Sequence, residues 1–238
     1  MNFDNAATRL HQILDNAMDA DKKANCHAMW AKLLGAEGDD DILSKLGAAM
    51  QLPGETARLV AVHHPTQVKS IESWRKPIMN GFRAMNLGGE WQTFSAHIDH
   101  AVVSQVGLIG ELLHTAVPSP GLKEGEVASV IEKLNAAMAE VKDGEFSTTV
   151  KRHVVSELHA LIQTLRNYRV SGAVPVLRQV EAMRFHAAVD SEYKSFLTST
   201  TVGQHVLDSL NAAAALLTIV SGGLAAIEVT GRLLLATG

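Results

Sequence analysis

EWQTFSAHIDHAVVSQVGLIGELLHTA, residues 90–116, is the stretch whose reading decides the fold. Trp91, Phe94, Ile98, Ala101, Leu108 and Leu112 recur at helical intervals, with Val102, Ile109 and Leu113 beside them. Apolar side chains spaced by three and four fall on one face of a helix. The spacing therefore predicts one amphipathic helix from the Gly88-Gly89 pair to Ala116, halted by the PSPG turn.

The same periodicity extends outward in both directions, and period-two alternation bounded by turn signals is absent. Towards the N-terminus, Leu10, Ile13, Leu14, Ala17, Ala24, Ala28 and Trp30 predict a first helix from about Asp4 to Gly35. The acidic run Asp39–Asp41 suits the N-terminus of a short helix ended by Pro53-Gly54. Glu55–His63 and about Gln67–Met85 follow, the latter carrying Pro77. Towards the C-terminus, Val127–Val141 closes at Asp143-Gly144, Phe146–Val170 ends at Ser171-Gly172, and the next helix holds Pro175 in its first turn. Connections this short make neighbours antiparallel. The expected fold is all-α, an antiparallel multi-helix bundle with a hydrophobic C-terminal helix. It is read as a single domain over 1–238, with subdivisions at 1–87, 88–190 and 191–238.

With 47% hydrophobic and 19% charged residues in 238, the chain is globular in composition. Aromatics make up only 5%, so Leu, Val, Ile, Ala and Met are expected to fill the core. A net charge of -4 supplies no basic face for a phosphate backbone, and no nucleic-acid partner is expected. The lone Cys26 precludes an intrachain disulfide and a CxxC zinc pair. The opening MNFDNAATR lacks the pattern of a secretory signal, so a cytoplasmic location is expected, with membrane association through the terminal helix as a variant of it.

That terminal helix is free of charge from Ser209 to Ile227, 19 residues and long enough in principle to span a bilayer. Its polar and glycine positions, Asn211, Thr218, Ser221 and Gly222-Gly223, offset much of the gain from its aliphatics. Leu210, Leu217, Leu224 and Ile227 lie on a bulky seam, whereas Ala214, Thr218, Gly222 and Ala226 form a smooth row that permits close helix approach. The first reading is a core helix of the protein's own bundle. A surface for a second copy or a partner helix comes second, and a membrane-inserting segment third.

Of 11 histidines, His97 and His100 in HIDH stand three apart and are the candidates for a metal. Glu111 and His114 give one Glu-x-x-His, where di-iron bundles need two. Arg58 and His63, with His64 next to it, form Arg-x4-His and are the candidate catalytic residues. This motif resembles the active-site motif of HEPN-type ribonucleases, except that Leu59 replaces the polar residue usual after the arginine. The resemblance implies an all-helical bundle that pairs so that two motifs face an RNA. There is no GxSxG elbow, no HExxH, no Walker A loop and no GxGxxG. The function expected from these residues is non-catalytic and without a cofactor: a helical bundle acting through self-association or a protein partner. A membrane-acting effector and a HEPN-like ribonuclease are the alternatives.

Overall fold

The structure, a computed structural model, describes residues 4–118 and 120–220. These described residues fold into α-helices and one 3₁₀ turn and form no strand, only isolated bridging such as that between Asn25 and Glu90. The all-α fold class read from periodicity is therefore what forms. The helices group into two compact units, one of residues 4–118 with Arg169–Ser171, the other of residues 120–168 with 172–220. The division falls near residue 119, inside the 88–190 stretch that the sequence suggested as one antiparallel bundle.

The first unit holds α1 (Ala6–Met18), α2 (Cys26–Leu34), α3 (Asp39–His63), a 3₁₀ turn (Pro65–Ser70), α4 (Ile71–Ala84), α5 (Gln92–Ser95) and α6 (His100–Ala116). The single helix expected over 4–35 is in fact two. Asp21 accepts the Lys23 amide, Asn25 caps α2 by accepting the Ala28 amide, and the Cys26 and His27 amides donate to Gly89 and Leu87. Backbone groups that would have continued α1 are satisfied by the 87–92 segment instead.

The opposite departure occurs at Pro53, where the sequence suggested a stop and α3 runs straight through. Ile42, Leu46, Ala49, Leu52, Thr56 and Val60 keep one buried stripe across the proline. A mid-helix proline costs about 3 kcal/mol, and each buried aliphatic returns roughly 1.5–3 kcal/mol, so the stripe outweighs the break.

The helix read over 90–116 is also interrupted. Asp99 accepts the Val102 amide and starts α6 afresh, which resets the helical phase. The buried face is Val102, Val103, Val106, Ile109 and Leu113, while Leu108 is 66% exposed. Glycines let α6 sit tightly on α1: a β-carbon on Gly107 would lie 2.8 Å from His11 Cδ2, and one on Gly110 2.9 Å from Thr8 Oγ1. Within a core that is otherwise aliphatic, as expected, five aromatic side chains are buried: Trp30, Trp74, Phe82, Trp91 and Phe94. Trp30, Trp74 and Trp91 are all fully buried, and Trp30 lies edge-on to Trp91 and Phe94 with centroids 5.1 and 4.8 Å away.

The second unit holds α7 (Glu124–Asp143), α8 (Thr148–Arg166), α10 (Ala173–Val189), α11 (Ser191–Ser199) and α12 (Thr201–Val220), while the single turn α9 (Tyr168–Ser171) between α8 and α10 gives Arg169–Ser171 to the first unit. Ser147 starts α8 by accepting the Val150 amide, and Gly172, at φ 73, reverses the chain into α10. Its core is aliphatic, built on Leu134, Val154, Leu158, Leu161, Val180, Met183 and Leu210. α11, which the sequence reading did not separate, is capped by Asp190.

Candidate functional site

Two pairs of side chains at four-residue spacing come together in the second unit. On α8 the inward stripe Val150, Val154, Leu158 and Leu161 leaves His153 and Glu157 on its flank, both partly buried. On α10 the inward stripe Val176, Val180, Met183 and Ala187 places His186 on the flank, with Asp190 one turn further on. The His186 Nδ1–H donates to Glu157 Oε1 at 2.7 Å. Its Nε2 lies 3.5 Å from Asp190 Oδ2. The His153 and His186 rings meet edge to face, 4.5 Å between centroids, and one ligand atom from each of His153, His186 and Asp190 falls within 4.8 Å of the others.

Asp190 divides its two oxygens between two tasks. Oδ1 accepts the Glu192 and Tyr193 amides, closing the first turn of α11, while Oδ2 faces His186. The Tyr193 amide bond is the main reason its carboxyl lies below the ordinary range. His186 is shifted upwards, first by the bond to Glu157, then by the charges of Glu157 and Asp190, against an opposing effect of burial. Tyr193 covers the floor, its ring 4.9 Å from that of His186. Burial first, and then the Glu157 carboxylate, push its phenol far above the ordinary value. The Tyr193 hydroxyl and Glu157 Oε2 are buried without a well-aligned hydrogen bond.

The opposite face of α10 has a different character. Val174, Phe185 and Val189 are 54, 69 and 64% exposed, and Arg178, Glu181 and Ala182 are exposed between them. Val174, Arg178, Glu181 and Phe185 follow intervals of four, three and four, a seam along one side of the helix.

The residues singled out by sequence lie elsewhere. Arg58 and His63 are both exposed on α3, five residues apart on one continuous helix and hence about 140° around its axis from each other. His64 is set apart from them by contact of its Nε2 with the Leu112 carbonyl. His97 and His100 do not share a helical face, as the spacing had suggested. They flank the break before α6, both exposed, and the Asp99 side chain between them is spent on the cap. Glu111 is exposed on α6. Leu210, Ala214 and Leu217 are buried in the core of their own unit, where α12 packs on α7, α10 and α11. Nothing is described of the Thr218 side chain, and Gly222, Leu224, Ala226 and Ile227 lie outside the described residues. No helix among the described residues is long and apolar enough to cross a membrane.

The sequence reading passed over His153-x3-Glu157 and His186-x3-Asp190, two histidine–carboxylate pairs on successive long helices. That repetition was the available signal. It also counted Ser-x-x-Lys as absent, yet the spacing occurs at Ser73–Lys76 and at Ser191–Lys194, with all four side chains exposed. A fully hydrated lysine lacks the desolvation that turns it into a base.

No protein-family model matches the chain, and neither a curated protein nor a solved structure matches it significantly.

Proposed function

We propose that the chain is a non-catalytic helical-bundle protein that acts through self-association, two copies meeting along the outward face of α10. One observation carries this reading: the seam is complementary to itself. An antiparallel copy centred between Gln179 and Val180 sets Val174 opposite Phe185 and Arg178 opposite Glu181. A two-fold interface needs this reciprocity, in which each residue meets its counterpart's partner twice. Phe185 is the anchor, since a large exposed aromatic ring gains most from leaving water. α12 has a packing role, with Leu210, Ala214 and Leu217 inside the unit.

From Val174 to Phe185 the seam spans about 16 Å, so the contact belongs to the small class of interfaces, below ~1,200 Å², and dissociates on dilution. The test is sedimentation of the full chain over a concentration series. A monomer–dimer equilibrium is expected, abolished by Phe185→Glu. Arg178→Glu and Glu181→Arg should each weaken it, and the double exchange should restore it. A monomer at every concentration, or a dimer indifferent to all of these changes, overturns the reading.

A further inference from the structure

We propose that His153, His186 and Asp190 form a binding site for a divalent transition-metal ion of the zinc class, with Glu157 as the carboxylate that orients His186. The donor set is two imidazoles and one carboxylate, which suits Zn²⁺ or Co²⁺ and leaves a fourth position for water.

Three features separate this cluster from a casual grouping of polar side chains. The first is distance. Bonds of ~2.1 Å at tetrahedral angles place neighbouring ligand atoms ~3.4 Å apart, and His186 Nε2 and Asp190 Oδ2 already stand 3.5 Å apart. His153 completes the triangle within 4.8 Å, close enough for a side-chain rotation to bring its ring nitrogen in.

The second is the division of labour within each ligand. A metal-bound histidine nearly always donates its other N–H to a carboxylate or carbonyl, which fixes the tautomer and aims the free lone pair. His186 does this with Glu157, leaving Nε2 towards Asp190. Asp190 is held in the same way: Oδ1 is tied down by two amides, and Oδ2 remains for a cation.

The third is the enclosure. All three ligands are partly buried rather than spread over an open surface, on α8, on α10 and at the junction with α11. The fully buried Tyr193 backs the cluster. A bound ion would tie α8 to the end of α10 on the side away from the exposed seam. The proposal is independent of self-association.

The experiment uses the full chain, treated with chelator and desalted. CoCl₂ is titrated with detection of the visible d–d bands, and ZnCl₂ is titrated by calorimetry. One Co²⁺ per chain is expected, with the bands of a four- or five-coordinate site, no sulfur charge-transfer band, and displacement by Zn²⁺. The missing sulfur band distinguishes this site from one at the buried Cys26. His153→Gln should weaken binding at least about tenfold, as should Asp190→Asn, which retains a capping oxygen. Glu157→Gln should weaken it about 10- to 100-fold without abolishing the bands. The double change His97→Ala with His100→Ala should leave it unaltered. His153→Gln removes no hydrogen bond of the described fold, and far-ultraviolet dichroism checks that each variant is folded. Absence of saturable Co²⁺ binding by the unaltered chain overturns the proposal whatever the variants do. So does a site that survives His153→Gln and Asp190→Asn together, or one lost with His97 and His100.

Discussion

Gly203 lies so close to Leu197 that a β-carbon added to it would stand 2.7 Å from the Leu197 α-carbon. The Phe196 carbonyl oxygen would be nearer still. α11 and α12 thus meet backbone to backbone, held by Thr200, whose hydroxyl accepts the Gly203 amide and donates to the Phe196 carbonyl. Alanine gains up to about 1 kcal/mol over glycine in helix propensity, but forcing a methyl into a filled site costs about 1–3 kcal/mol. Gly203→Ala is therefore expected to destabilise the protein, seen as a lower urea midpoint by circular dichroism. An unchanged or higher midpoint would mean that the two helices separate easily.

His205 on α12 bonds through Nδ1 to Glu140 Oε2 on α7 at 2.6 Å, in an exposed position. The bond to Glu140, its charge and that of Asp208 raise the imidazole's pKa. A raised folded-state value means stabilisation that is fully present below the unfolded value near ~6.5 and lost as pH rises through the folded one. The native chain should therefore be more stable than His205→Gln at pH ~5.5 and equal to it near pH ~9, with added salt shrinking the difference. Paired denaturation curves at the two pH values test this. An advantage that grows with pH would contradict it.

Lys45 is a buried lysine with defined partners. Its ammonium donates to the Gly35 carbonyl at 2.7 Å, at the left-handed end of α2, and to Asp41 Oδ2 at 3.0 Å. Lys45→Met keeps the stem and deletes both bonds, so the Gly35 carbonyl loses its ammonium donor and Asp41 Oδ2 keeps the Glu37 amide but loses its buried counter-charge. The expected loss is about 1.5–3 kcal/mol by denaturant titration. A neutral result would indicate that water takes over both acceptors.

Phe185 supplies the contrasting case. Because its ring is exposed, Phe185→Ser should change the stability of the dilute monomer by no more than about 0.5 kcal/mol. A loss of several kcal/mol would place the ring in a core and remove it from the self-association seam.

The sequence was legible wherever local chemistry and packing agreed. Asp143-Gly144 and Pro175 mark helix boundaries that the structure reproduces, whereas the helix expected to run to Ser171-Gly172 ends at Arg166 and only a separate turn reaches Ser171. It misled where a distant partner decided. The 24–27 backbone bonds to residues 87–91, which no local pattern in DADKKAN announces, and Pro53 is carried by a stripe whose burial depends on other helices. The candidate site was hidden for the same reason. His153 and His186 are 33 residues apart, and only the registry of α8 against α10 makes them neighbours. HIDH drew notice because its residues adjoin in sequence, yet the cap at Asp99 turns that adjacency into a helix start.

The confinement of Trp30, Trp74 and Trp91 to one unit has an optical counterpart, because the only two phenols of the chain, Tyr168 and Tyr193, belong to the other. Indole emission is a private signal of the α1–α6 unit, and phenol absorbance reads the unit that carries the histidine cluster. Each half of the protein thus brings its own chromophore, and a perturbation can be assigned to its half from spectra of the unlabelled chain.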